Sequence, residues 1–424
     1  MKKAAMAILM TVLVAPAFAV IGTVDDVPAA SLLLPYFEVD LDDPSGVTTL
    51  MSINNASASA VLVHVTVWTD LSVHVLDFNV YLTGYDVQSI NLRDVIVQGN
   101  LPVTASVGQD PSDSISPQGP ISQDINFASC SGILAYDNPA LDATYLDHVQ
   151  SSLTGQPSTV FFGGSCAGVD HGDRIARGYV TADTVNACSL DFPGDVGYFL
   201  PGGTGVATNQ NVIWGDYFYV NPGENFAQGE TLVHLEADAL LGPANYTFYS
   251  RLAPGGADNR EALSNVFAVR YLNGGAFDGG TSLLVWRDSK RIINPFNCAL
   301  VAPAPFELSQ NQVVVFDEEE NLEVPEGCTI SPCPTTSGIT PFPWETQRTH
   351  VSSVALPTTY EFGWVYLNLN STVVGSVIPF EPLMQNWVTA VMDAKGTMSV
   401  GFTAVQLSNV TDPATASDAV LAVP

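Results

Sequence analysis

The chain has 424 residues, 46% of them hydrophobic, and sets 43 acidic against 13 basic side chains for a formal net charge of −30. This balance leaves no cationic footprint for phosphates, which excludes nucleic-acid binding, and it disfavours docking on anionic lipid. Only 13% of residues are charged, so the chain is no disordered acidic tail and can build a large core.

Residues 1–19 read as a secretory signal peptide. Lys2 and Lys3 precede a short apolar stretch, and Ala17-Phe18-Ala19 supplies a small-x-small cleavage site before Val20. The apolar run is too short for a stable membrane anchor. No later run reaches spanning length, so no integral membrane segment is expected after cleavage. The six cysteines, Cys130, Cys166, Cys188, Cys298, Cys328 and Cys333, are an even set in an exported chain and are expected in disulfides. Cys328 is expected to pair with Cys333, or one of them with Cys298. A leftover cysteine in each half could then link the halves.

The dominant pattern is period two or short apolar runs, punctuated by Gly, Pro, Asn and Asp. Strands are expected at 32–39, 48–54, 60–69, 75–82 and 86–92. Further strands are expected at 177–185, 211–220, 230–236, 246–252, 265–272 and 282–288, and then at 312–316, 360–369, 387–392 and 397–407. Asn138-Pro139 opens one helix, with Leu141, Tyr145, Val149 and Leu153 at helical spacing and Gly155 closing it. That helix lies in a Cys-, Gly- and Pro-rich stretch at about 97–172, which reads as an insertion. A short repeat runs through both halves. Val67-Trp68-Thr69-Asp70 parallels Val285-Trp286-Arg287-Asp288, and Gly178-Tyr179-Val180 parallels Gly363-Trp364-Val365. The expected fold is all-β: two related antiparallel Ig-like β-sandwich domains at 20–225 and 226–424, the first with the insertion and its short helix.

Asp77-Phe78-Asn79-Val80-Tyr81-Leu82-Thr83-Gly84-Tyr85-Asp86-Val87 follows a strand alternating as His64, Thr66 and Trp68. Phe127-Ala128-Ser129-Cys130, Arg177-Gly178-Tyr179-Val180 and Phe316-Asp317-Glu318-Glu319-Glu320-Asn321 come later. In this order the motifs resemble a group of uncharacterised exported bacterial surface proteins with Ig-like sandwiches. The resemblance spans most of the mature chain. It implies a place at the cell surface or in the medium and brings no activity with it.

Candidate chemistry is sparse. Gly164-Ser165-Cys166-Ala167-Gly168 has His171 nearby, but Cys166 reads first as a disulfide cysteine in a glycine-rich turn. Asp170-His171-Gly172-Asp173 could ligate a metal and reads first as a polar turn. His64 and His234 read as strand-face residues. Two acidic turns, Asp40, Asp42 and Asp43 in one and Asp317, Glu318 and Glu320 in the other, read first as solvated loops. Two of them in a lysine-poor chain nominate calcium as a cofactor, although neither matches an EF-hand. Trp214, Tyr217, Tyr219, Trp364 and Tyr366 are candidates for a glycan-binding face, with core packing the first reading. Trp214 and Tyr217 have opposite parity and cannot share a strand face.

The sequence therefore points to an exported, non-enzymatic structural or adhesive protein, stabilised by calcium in one version of this reading. Its partners would be other surface proteins, itself or glycans. A secreted carbohydrate-binding or carbohydrate-hydrolysing protein is the alternative, because a catalytic carboxylate pair can be far apart in sequence.

Overall fold

A computed structural model describes residues 27–102, 140–238, 247–253, 255–321, 341–353, 358–370 and 384–407. The expected signal peptide, Cys130, Cys328 and Cys333 lie outside these residues.

Five strands open the chain: β1 (Ser31–Asp40), β2 (Thr48–Asn55), β3 (Val61–Thr69), β4 (His74–Leu82) and β5 (Val87–Asn91). Two short helices follow, α1 (Leu92–Ile96) and α2 (Ala143–Leu153). Next come β6 (Ile175–Val185), β7 (Ile213–Trp214), β8 (Asp216–Asn221), β9 (Phe226–Thr231) and β10 (Val233–Leu235). The remainder is β11 (Val266–Leu272), β12 (Gly280–Arg287), β13 (Gln312–Asp317), β14 (Thr346–His350), β15 (Phe362–Asn368), β16 (Asn386–Asp393), β17 (Ser399–Thr403) and β18 (Val405–Gln406).

These strands form four antiparallel sheets. Sheet A runs β10-β1-β6-β3-β4, and sheet B runs β5-β2-β8-β9 with β7 beside β2. Sheet C runs β13-β15-β11-β18, and sheet D runs β14-β12-β16-β17. The all-β expectation holds, and the sheets lie in sandwich-like pairs. Val63, Val65 and Val67 of β3 meet Met51, Ile53, Tyr217 and Tyr219 in one core, which Val95 of α1 and Val149 of α2 help to close. Val269, Leu283, Val285, Val365, Leu367 and Val388 share a second core between C and D.

Sheet A is covered on both faces, which is why Val61–Thr69 is buried at every position. On the other face of β3, Leu62 and Trp68 pack against Tyr198, Phe199, Phe248, Tyr249 and Leu263 from irregular segments. Sheet D reaches the same layer. Leu284 joins the first core, while Trp286 and Trp387 join the aromatic layer on sheet A.

Several expectations need correction. β9 and β10 bond to β8 and β1, so the hydrogen bonding of the first pair of sheets runs as far as Leu235. The strand expected at 211–220 breaks at Gly215, where a Cβ would sit 2.2 Å from the Ser52 carbonyl oxygen. Residues 247–253 form turns in place of the strand expected at 246–252, with Phe248 and Tyr249 used as a plug. β14 was not foreseen because Thr-Gln-Arg-Thr-His shows no apolar alternation. The helix starts later than Asn138-Pro139 suggested: Asp142 caps it, accepting from the Thr144 and Tyr145 amides at 2.9 and 2.8 Å. The repeat is not one of topology. β6 pairs with β3 in one sheet, whereas β15 pairs with β11 and β13, away from β12.

Candidate functional site

The two Val-Trp-x-Asp segments nevertheless converge. Each ends a central strand, β3 or β12, and each delivers its tryptophan to one aromatic layer. Trp68 stacks on Tyr179 with centroids 5.8 Å apart and planes 7° from parallel. Tyr179 meets Trp286 edge-on at 5.9 Å, and Phe248 stacks on Trp286 at 5.2 Å. With Thr181, Tyr249, Arg251 and Asp288 these rings line a cavity of about 10 Å³, the room one water needs.

A buried charge cluster borders this cavity. Arg251 Nη1 donates to both Glu345 oxygens at 2.6 and 2.8 Å and lies 3.5 Å from Asp288. Arg251 Nη2 donates to the Tyr179 hydroxyl at 3.0 Å. Lys290 Nζ lies 2.8 Å from Asp288, and the Ser289 amide donates to Glu345 at 3.0 Å. Burial pushes Glu345 above the usual carboxylate range despite Arg251. Burial acts the same way on Asp288, but Lys290 and Arg251 overcome it and hold that carboxyl low. Two carboxylates set apart in this way are what acid–base catalysis uses. Here both face the same guanidinium, and the adjoining space admits a water and no larger substrate. The guanidinium clamps the two carboxylates.

The clamp extends along the junction of the two pairs of sheets. The Asp70 carbonyl accepts from the Glu345 and Thr346 amides at 3.1 and 3.2 Å, tying the end of β3 to the start of β14. Arg348 of β14 donates to Glu38 of β1 at 3.2 Å. Within the second pair of sheets, Arg287, fully buried, donates to the carbonyls of Leu308, Ser309, Phe342 and Leu369; burial pushes it down to about 9. Asp183 accepts from Ser31, Tyr198 and Tyr249, and Ser31 in turn accepts from Arg260 at 2.9 Å.

Several of the residues nominated by sequence take part in contacts within the fold. Cys166 is bonded to Cys298, 132 residues away, so the bridge joins the first half to the second and the Cys298 pairing with Cys328 or Cys333 does not occur. Cys188 is also disulfide-bonded. His171 is committed to Asp70, with Nε2 3.1 Å from Oδ2, and among the described residues no hydrogen bond joins it to Ser165 or Cys166. Asp170 accepts from the Gly172 amide, and Asp173 binds Arg177 in a fork. His64 bonds Asn79 across the sheet at 3.1 Å, and His234 lies in β10. Tyr217 and Tyr219 are core residues, Tyr366 is buried, and Trp364 stacks on Phe316.

In the first acidic turn, Asp40 accepts from the Asp42 and Asp43 amides, closing the turn on itself. Arg93 then donates to the carbonyls of Asp40, Asp43, Gly46 and Val47 at 2.7–2.9 Å. It is the one basic residue between Val20 and Asp173, and it occupies the carbonyl oxygens a hard cation would seek. In the second turn, Asp317 accepts from the amides of Glu319 and Asn321 and from the Asn321 side chain, while Glu318 and Glu320 are exposed. Among the described residues no three His, Cys, Asp or Glu side chains gather where they could hold a metal.

No family model, curated protein or solved structure matches this chain.

Sequence reading missed a second buried pair. His148 of α2 takes the Ser158 hydroxyl at 2.7 Å on Nδ1, amid Tyr145, Phe161 and Phe162. Burial pushes His148 down to about 4. Ser158 is itself fully buried, so the pair anchors the loop after α2 and presents no nucleophile. The helical spacing pointed to Val149 and Leu153 and gave no sign of the histidine's partner.

Proposed function

We propose that this is an exported structural or adhesive protein, built from two Ig-like sandwich units and acting at the surface of a bacterium or in its medium. The observation that supports the reading best is how the acidic and nucleophilic side chains are spent. Cys166 bridges the two halves, Glu345 and Asp288 hold the Arg251 that reaches Tyr179, Asp183 accepts from Tyr249, and His171 is committed to Asp70. A disulfide, a buried cluster of four ionised side chains and an aromatic stack suit a protein that must keep its sheet faces in fixed orientation outside the cell. Partners would be other surface proteins, further copies, or glycans.

The test is fractionation of the native host combined with a deletion strain. The protein should be recovered outside the cytoplasm without residues 1–19, and its loss should weaken attachment or surface integrity. Purified protein should turn over none of a broad panel of glycosidic, ester and peptide substrates. A cytoplasmic form retaining Met1, or turnover of any substrate class, would overturn the reading.

A further inference from the structure

We infer that the outward face of sheet B, which carries the exposed rings of Trp214 and Phe218, is a binding platform for a neutral glycan. This deepens the adhesive reading and rests on it.

Register places the platform. Trp214 of β7 pairs with Asn54, and Phe218 of β8 pairs with Leu50, so both aromatics share the face carrying Leu50, Ser52 and Asn54. Their sequence neighbours Ile213, Tyr217 and Tyr219 point into the core. Trp214 is 42% exposed and Phe218 45% exposed, high values for residues within strands of a paired sheet. Four residues of strand separate them, about 13 Å along the sheet, longer than a single pyranose ring.

Phe218 lies flat. A Cβ placed on Gly229, its cross-strand partner in β9, would come 2.4 Å from Phe218 Cδ1 and Cε1. The ring therefore rests across the glycine and offers a face to solvent, where it can stack on the C–H surface of a sugar. The face of an aromatic ring carries the negative lobe of its quadrupole and attracts such polarised C–H groups.

A polar relay lies between the two rings. Asn54 Nδ2 donates to Ser52 Oγ at 2.9 Å, and Ser52 donates to Asp216 Oδ1 at 2.7 Å. This fixes the Asp216 carboxylate with Oδ2 free of any partner among the described residues, an acceptor for a sugar hydroxyl. At the sheet edge the same face runs through Ser89 and Asn91 of β5, which pair with Ser52 and Leu50. These border a groove of about 320 Å³ lined also by Gln88, Asp94, Gln98 and Asn100. Amides both donate and accept, as sugar hydroxyls do.

Charge selects the class of ligand. Among the described residues no Lys or Arg occupies an outward position on these strands, and the chain carries a net charge of −30. Uronic glycans and nucleic acids are therefore repelled. A neutral polysaccharide is not.

The test is native electrophoresis of the full mature protein through gels containing hydroxyethyl cellulose, galactomannan or dextran, followed by calorimetric titration against whichever retards it. At least one neutral polymer should retard the wild type, while alginate and hyaluronan should not. Trp214→Ala and Phe218→Ala should each weaken binding about tenfold, and the double variant should abolish retardation with its melting temperature unchanged. Gly229→Ala, whose Cβ would press on the Phe218 ring at 2.4 Å and on the Tyr217 carbonyl oxygen at 3.0 Å, should weaken binding as well by lifting the ring. Failure of every neutral polymer, or equal retardation of the double variant, would overturn the inference. So would a dimer that dissociates on these substitutions, which would make the face a self-association surface. Extracellular recovery and attachment of the deletion strain are separate readouts, so loss of the glycan inference leaves the adhesive reading standing or falling on its own.

Discussion

Replacing Arg251 with methionine removes the guanidinium shared by Glu345 and Asp288. Lys290 still neutralises Asp288 at 2.8 Å, so most of the loss falls on Glu345, whose side chain is 0% exposed. It would keep the Ser289 amide and, with no cation bonded to it, only the more distant charge of Arg287. Removing one partner of a buried ion pair costs about 3–5 kcal/mol, and methionine replaces part of the lost packing. The penalty should depend on pH. Burial already raises Glu345, and loss of Arg251 raises it further. A carboxyl raised in the folded state stabilises the fold while protonated and loses that contribution as pH rises through its folded value. The penalty should therefore be largest near about pH 7.5 and shrink toward about pH 5. Asp288, held low, acts in the opposite sense: its contribution fades only as pH falls through its depressed value, below this window. Urea titration followed by tryptophan fluorescence measures the effect, since an uncharged denaturant does not screen the pair. In a Glu345→Gln background the Arg251 substitution should cost much less. A penalty under about 1 kcal/mol at both pH values, the size of an exposed pair, would refute the clamp. So would an equal penalty in the glutamine background.

Removing the Cys166–Cys298 bridge as a double alanine variant should cost up to about 5 kcal/mol by chain entropy for residues 132 apart, read as a fall in denaturation midpoint; an unchanged midpoint would show that the bridge constrains nothing. Because His148 is pushed down to about 4, the unfolded chain takes up its proton first as pH falls. Melting temperature should therefore drop from about pH 6.5 to about pH 4, and His148→Gln should flatten that slope; an equal slope in both proteins would remove His148 as its source. Calcium and EGTA, at matched ionic strength, should give the same wild-type melting curve, since Arg93 already holds the carbonyls of the first acidic turn. A clear calcium-dependent rise would show that the acidic turns take the ion despite Arg93.

Much of the strand inventory was legible because alternation and β-branched runs report directly on sheets. β1, β2, β3, β4, β6, β11, β12 and β16 fall within two residues of their expected spans. Elements that break the pattern escaped. β14 is polar because its Arg348 pairs with Glu38 across the junction. Residues 247–253 carry strand-forming aromatics, yet Phe248 and Tyr249 are used to cover sheet A. In both cases contacts distant in sequence override local preference.

The candidate site was less legible. The Val-Trp-x-Asp repeat was visible, but its meaning was not. Glu345, Arg251 and Asp288 come from three separate segments, and nothing local in sequence marks them as neighbours. The acidic turns were visible as clusters of oxygen ligands. That Arg93 bonds four carbonyls of the first turn depends on α1 folding back over the β1–β2 connection.

By itself, then, the sequence determined composition, charge, strand content and the even cysteine set, because these follow from residue type and short-range periodicity. Tertiary structure decided which sheets pair, that β9 and β10 belong to the first pair, that Cys166 bonds Cys298, and that Trp214 and Phe218 face outward, Phe218 over Gly229. Each of these depends on the register and packing of segments far apart in the chain. A strand's alternation shows that one face is apolar, but what covers that face is fixed only when the whole chain has folded.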